Sequence, residues 1–212
     1  LEEHAEAAPQ RERVLAEVAQ GAFLLGAHHR LGDAGSEAER AELLTRAIAH
    51  TEAARARPLD GEPLFQVVVD GNLGELLMLQ GDIAGAGPLL DGAVALAARG
   101  GFTPYLQRCR ANRIEWLVHA GRADEARAEA QALLAELGPE GGPVATRVRA
   151  LAAASLACRR LGLHEEALAH FMAFERAERR RTLAEQRAMA SLFVSRAEAE
   201  RQRLRAEDAQ DR

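Results

Sequence analysis

Gly81-Asp82-Ile83-Ala84-Gly85-Ala86, Gly121-Arg122-Ala123-Asp124-Glu125-Ala126 and Gly162-Leu163-His164-Glu165-Glu166-Ala167 repeat one arrangement, a glycine followed five residues on by an alanine. The glycines stand 40 and 41 residues apart. A fixed period of roughly 20–50 residues marks a solenoid, in which each repeat buries its apolar face on the next. Around the first glycine, Leu73, Gly74 and Leu77 precede it, and Ala86, Leu90 and Ala93 follow at helical spacing. Small residues where two helices cross let the backbones approach, while larger ones fill the neighbouring groove. The glycine closes the first helix of the unit because it enters the left-handed conformation at little cost.

Working outward, the second unit keeps Leu117, Gly121, Ala126 and Leu133, with Arg113-Ile114 in place of Leu73-Gly74. The third keeps Gly162, Ala167, Phe171 and Phe174, with Ala154-Ser155 at that place. Toward the N-terminus, Leu43 to Ala49 echoes Leu89 to Ala95, and Gly32-Asp33 echoes Gly81-Asp82, with Ala34 to Arg40 inserted. Pro58 and Pro63, Gly100-Gly101 and Pro104, and Gly138-Pro139 with Gly142-Pro143 punctuate the chain between units. The pattern predicts eight helices, near 10–31, 37–57, 63–80, 83–99, 104–120, 123–137, 144–161 and a long one from 164. Pro88 falls near the start of its helix, where a missing donor matters least.

Leu73-Gly74, Leu77, Gly81, Ala86, Leu90 and Ala93 resemble the pattern of the tetratricopeptide repeat. The resemblance implies an all-α fold, a right-handed αα-superhelix of about four helix pairs ending in a long C-terminal helix. It also implies that the first helix of each pair lines a concave face. The repeat domain is expected to occupy residues 1–178 and a helical extension residues 179–212. The period exceeds the common 34 residues, which helices longer by about a turn accommodate.

Composition agrees with helices. Hydrophobic residues make up 48% of the 212, aromatics only 4%, and the abundant Ala, Leu, Arg and Glu are good helix formers. All 27 basic residues are arginine, which reads as genomic base composition. A net charge of −5 argues against a general nucleic-acid binder. Cys109 and Cys158 have no metal-ligand spacing and read as buried thiols of a reducing compartment, so a cytoplasmic setting is expected. The acidic start, with Glu2, Glu3 and Glu6, carries no signal-peptide pattern, and the longest nearly uncharged stretch, Ile83 to Ala98, is too short to span a bilayer. The chain begins at Leu1 and stops at Arg212 within a helical pattern, so a piece of a larger protein is expected.

From Glu165 to Arg205 no proline or glycine occurs, which is about 60 Å of continuous helix. Ala167, Phe171 and Phe174 are expected to face inward. Beyond Arg179, Leu183, Ala190, Ala197 and Leu204 recur every seven residues, with Phe193 and Val194 between and Gln186 and Glu200 interrupting the seam. The mixed arginines and acids around them read either as a solvated face or as a parallel coiled coil. The coiled-coil reading implies a homodimer through residues 180–205. The run His164 to Phe171, then Phe174-Glu175-Arg176, then Glu198 to Leu204, resembles the end of the repeat region that precedes the GGDEF domain of bacterial diguanylate cyclases. That resemblance implies a sensory or interaction domain controlling a C-terminal cyclase. The GGDEF motif itself is absent. A plain adaptor and the regulatory domain of a transcription factor remain the alternatives.

No phosphate-binding loop follows a strand pattern, and no strands are expected. His28 and His29 point about 100° apart on a helix and do not readily share a metal. His119 and Cys109 lie ten residues apart in one helix, too far for a nucleophile–base pair. Carboxylates alternate with arginines, as surface pairs do. Neither catalytic residues nor a cofactor or metal are therefore expected. A peptide or protein ligand in the concave groove is. Asn72 and Asn112 stand nine residues before their turn glycines. By the repeat resemblance, an asparagine there bonds the backbone of an extended peptide; a helix-packing amide is the other reading. Around them lie Glu75, Met78, Arg108, Glu115, His119, Arg149, Leu156, Arg159 and Arg160. The four arginines form either an acid-binding patch or solvated surface. The third unit carries Ala153 in place of the asparagine.

Overall fold

The computed structural model describes the backbone of residues 2–57, 61–139 and 141–210, and the side chains of these except 2–10, 33, 197, 199–200 and 202–210. The described residues form eight α-helices and one short 3-10 turn, with no strand among them. The helices are α1 (Glu2–Leu31), α2 (Glu37–Arg55), α3 (Pro63–Gln80), α4 (Ile83–Arg99), α5 (Thr103–His119), α6 (Ala123–Leu137), α7 (Val144–Arg160) and α8 (His164–Gln210). The expected boundaries hold within about two residues, except that α1 starts eight residues earlier than expected. Pro58 lies outside the described residues.

The three glycine phrases fold identically at the backbone. Gly81, Gly121 and Gly162 take φ of 97°, 78° and 75°. In each, the following residue donates back across the turn: Asp82 to Leu77 at 2.9 Å, Arg122 to Leu117 at 2.9 Å, Leu163 to Cys158 at 2.9 Å. This Schellman closure satisfies carbonyls that the helix end would orphan. The next helix begins at once, and the alanine five residues after the glycine makes its first-turn bond: Ala86 to Asp82, Ala126 to Arg122, Ala167 to Leu163. All three alanines are buried.

Each hairpin packs internally, α1 on α2, α3 on α4, α5 on α6 and α7 on α8, and leans on its neighbour through α2–α3, α4–α5 and α6–α7. The odd-numbered helices also touch one another in sequence, α1 to α3, α3 to α5 and α5 to α7. The core is accordingly a chain of clusters. Leu24, Leu25, Leu44, Ile48, Leu73 and Leu76 join α1 to α3. Leu90, Ile114, Leu117, Leu133 and Ala154 join α4 to α7. Val148 and Leu151 meet Ala177, Ala173 and Phe174 where α7 meets α8. Close crossings depend on small residues, as the Leu-Gly pair suggests. A Cβ added to Gly74 would come within 2.7 Å of Leu90, and one on Gly87 within 2.4 Å of Trp116.

One inward residue is misplaced by the sequence pattern. Ala167 is buried and Phe174 half-buried against α7, but Phe171 is 49% exposed. The packed stripe of α8 runs through 167, 170, 174 and 177, and position 171 lies about 100° away from 170 around the helix. Beyond the hairpin, α8 continues without a break past position 179, and every described residue from Thr182 to Arg196 is exposed. No described helix is long and apolar enough to cross a membrane.

Candidate functional site

The odd-numbered helices enclose a groove of about 390 Å³. His29 of α1, Glu75, Met78 and Leu79 of α3, Arg108, Asn112, Glu115 and His119 of α5, Arg149 and Leu156 of α7, and Arg181 of α8 line it. Its floor is a charge network centred on Glu75, whose side chain is 3% exposed. Arg149 Nη2 lies 2.7 Å from Glu75 Oε1, and His29 Nε2 lies 2.9 Å from the same oxygen. Asn112 Nδ2 donates to Oε2 at 2.9 Å, and Arg108 Nη2 stands 3.8 Å from that oxygen. Burial alone would raise the Glu75 carboxyl. Arg149 foremost, then the hydrogen bond to His29 and the charge of Arg108, reverse that and hold it well below the ordinary carboxylate range.

A second regularity runs across the repeats. Arg108 and Arg149 occupy equivalent positions, thirteen residues before their turn glycines. Each donates to the asparagine of the preceding unit: Arg108 Nη2 to Asn72 Oδ1, and Arg149 Nη1 to Asn112 Oδ1 at 2.5 Å. The unit before has Val68 at that place and contributes no such donor. The third has Ala153 in place of the asparagine. Each of the two asparagines thus receives an arginine from the next odd-numbered helix. This ladder was missed by reading the asparagines singly. The signal that carries it is the register, since Asn72 and Asn112 are 40 residues apart and Arg108 and Arg149 are 41.

Seven of the nine expected site residues thus share one region. Asn72 and Asn112 are 2% and 1% exposed. Their oxygens are engaged by the ladder arginines, so they shape the floor and do not present a free amide to an extended peptide. Glu75 is likewise buried in the network. Arg108, Arg149, Glu115 and His119 line the groove, and Arg149 Nε also stands 3.8 Å from Glu115. Arg159 and Arg160 are not brought in. Arg160 is eleven residues beyond Arg149, three helical turns along the same face, which carries it past the groove to the end of α5, where it donates to the carbonyl of Val118. Arg159 is exposed outside the groove lining. The expected four-arginine patch is therefore two arginines, and both face carboxylates. Arg181 joins them from α8, a residue missed because helix register beyond a turn does not reveal which neighbour a side chain reaches. It pairs with Glu178 at 2.5 Å.

The histidine pair divides as its helix geometry requires. His29 turns to Glu75, while His28 is partly buried with no partner for Nδ1 and lies edge-on to His29 at 5.8 Å. Burial, with His29 and Arg40 nearby, lowers the His28 ring. Cys109 is buried beside Gly71, and burial pushes its thiol up to about 11, so it is a packing residue and a poor nucleophile. Cys158 meets Glu166 and His170 at the α7–α8 turn, outside the groove. No protein-family model matches the chain, and no curated protein is similar to it.

Proposed function

We propose that this chain is a non-catalytic, tetratricopeptide-like helical repeat domain that binds a peptide or a partner protein segment in the groove between its odd-numbered helices. The observation that carries this reading is the groove itself. Its floor is stiffened by a buried, mutually satisfied ion network, and its walls offer the half-buried apolar Leu79 and Leu156 beside the polar His119, Glu115 and Arg108. Pre-formed concave sites with a few fixed polar groups are where ligands bind. Charges in the floor are balanced, which favours a ligand read by shape and apolar contact over a strongly acidic one. Enrichment of peptides from a displayed random library tests this. Binding that is lost in Leu156→Arg, with helical content unchanged, is expected. Failure to enrich any peptide, or peptides indifferent to Leu156→Arg, would overturn it.

We further propose a signalling role, in which α8 passes the binding event to a C-terminal output domain, a diguanylate cyclase by the resemblance of residues 162–205. Exposed Leu183, Phe193 and Val194 support pairing of two copies through residues 180–205. They share one face of α8 with Ala190, opposite the stripe that packs on α7. The expected Ala197, Glu200 and Leu204 of that seam lie outside the residues whose side chains are described.

A further inference from the structure

Glu166 and His170 stand one turn apart on α8, so their side chains leave the helix on the same side. That side meets the last turn of α7, where Cys158 is fully buried. The thiol sulfur, a carboxylate oxygen and a ring nitrogen all lie within 4.8 Å of one another, and Cys158 Sγ is 3.3 Å from Glu166 Oε2. In a tetrahedral zinc site, metal–ligand bonds of about 2.0–2.3 Å place the donor atoms about 3.3–3.8 Å apart. Small inward movements of three side chains therefore close the triad around an ion.

We propose that Cys158, Glu166 and His170 bind a zinc-class divalent cation at the root of the long helix. A thiolate beside an imidazole and one carboxylate suits zinc over the hard cations magnesium and calcium, which prefer all-oxygen sites. The three protein ligands leave the fourth position to water. Binding replaces the Cys158 S–H bond by a sulfur–metal bond, and the proton passes to solvent. Arg127 of α6 donates to both Glu166 oxygens, at 2.5 Å and 2.8 Å. Each oxygen keeps a second lone pair for the metal, so the guanidinium orients the ligand as an outer-shell partner does. Thiolate and carboxylate against one guanidinium leave a net negative charge to meet the cation. The ion would tie α6, α7 and α8 together where α8 leaves the repeat body.

Titration of the metal-free chain with Co²⁺, followed by displacement with Zn²⁺, tests the site. One equivalent should bring visible d–d bands of tetrahedral strength together with a thiolate-to-cobalt charge-transfer band. Apparent affinity should fall by about tenfold or more in His170→Ala. The charge-transfer band should vanish in Cys158→Ser and persist in Cys109→Ser. Because Cys158 is fully buried and its variant can unfold, the wild-type spectrum and the partly exposed His170 decide the matter. Absence of the charge-transfer band in the wild type, or cobalt affinity unchanged in His170→Ala, would show that the cluster is only a thiol-capped Arg127–Glu166 ion pair.

Discussion

Glu75 is the residue on which the groove turns, because four side chains from three helices meet its buried carboxylate. Desolvating two opposite charges costs nearly as much as their attraction returns, but removing one partner strands the other. Glu75→Gln should therefore lower stability by about 3–5 kcal/mol, read as a reduced urea midpoint. Since the folded carboxyl titrates below its free value of 4.5, its contribution is complete above that pH and drains away as pH falls through and below it. The wild type should lose stability on acidification more steeply than Glu75→Gln; parallel curves would show that the network adds nothing. A second residue-scale test concerns Ala126, fully buried five residues after its turn glycine. Ala126→Leu should overpack the α5–α6 hairpin and cost about 1–3 kcal/mol, measured by thermal melting. Much at this scale was legible: the turn glycines and small crossing residues follow from the repeat phrase alone. What Asn72 and Asn112 do was not, because an amide's role depends on which side chain a neighbouring repeat delivers, and Arg108 and Arg149 are far away in sequence.

At the scale of the element, helix ends were the most readable part of the chain and helix faces the least. Glycine marks an end by backbone conformation, a local property, so seven of the eight starts and most of the stops are in the sequence. Facing is set by tertiary packing. Phe171 shows this, since the same apolar pattern accommodates a stripe through 170 or through 171. It is also why Arg159 and Arg160 read as groove residues although α7 carries them beyond it. α8 poses the sharpest element-level test. Its exposed seam of Leu183, Ala190, Phe193 and Val194 points away from α7, so folding back onto the repeats would require the helix to break. Sedimentation at rising concentration should show dimers of the full chain and monomers of residues 1–179. In hydrogen exchange, amides of 183–196 should be quick in dilute protein and slow in concentrated protein. Protection independent of concentration would count against pairing.

Taken whole, the molecule is a row of hairpins in which each contacts its neighbours and little else. Stability in such a row is a sum of local units and the interfaces between them. A chain starting at residue 61 should consequently keep the helical far-UV signal of α3 to α8 and unfold at a lower denaturant midpoint, since it loses the Leu24–Leu73 side of the first core cluster. Collapse to an unstructured chain would mean that the hairpins are not separable. The 47-residue span of α8 gives this row a mechanical property. Only its first four or five turns are gripped by the rest of the protein, and about 45 Å of rigid rod extends past Arg181. Such a rod is a lever with its fulcrum at the Cys158–Glu166 turn. The far end of α8 lies about 65 Å from that turn, so a tilt of about 5° there sweeps it through about 6 Å, close to the pitch of one helical turn. A shift in α7 too slight to disturb the groove would thus arrive at the tip magnified.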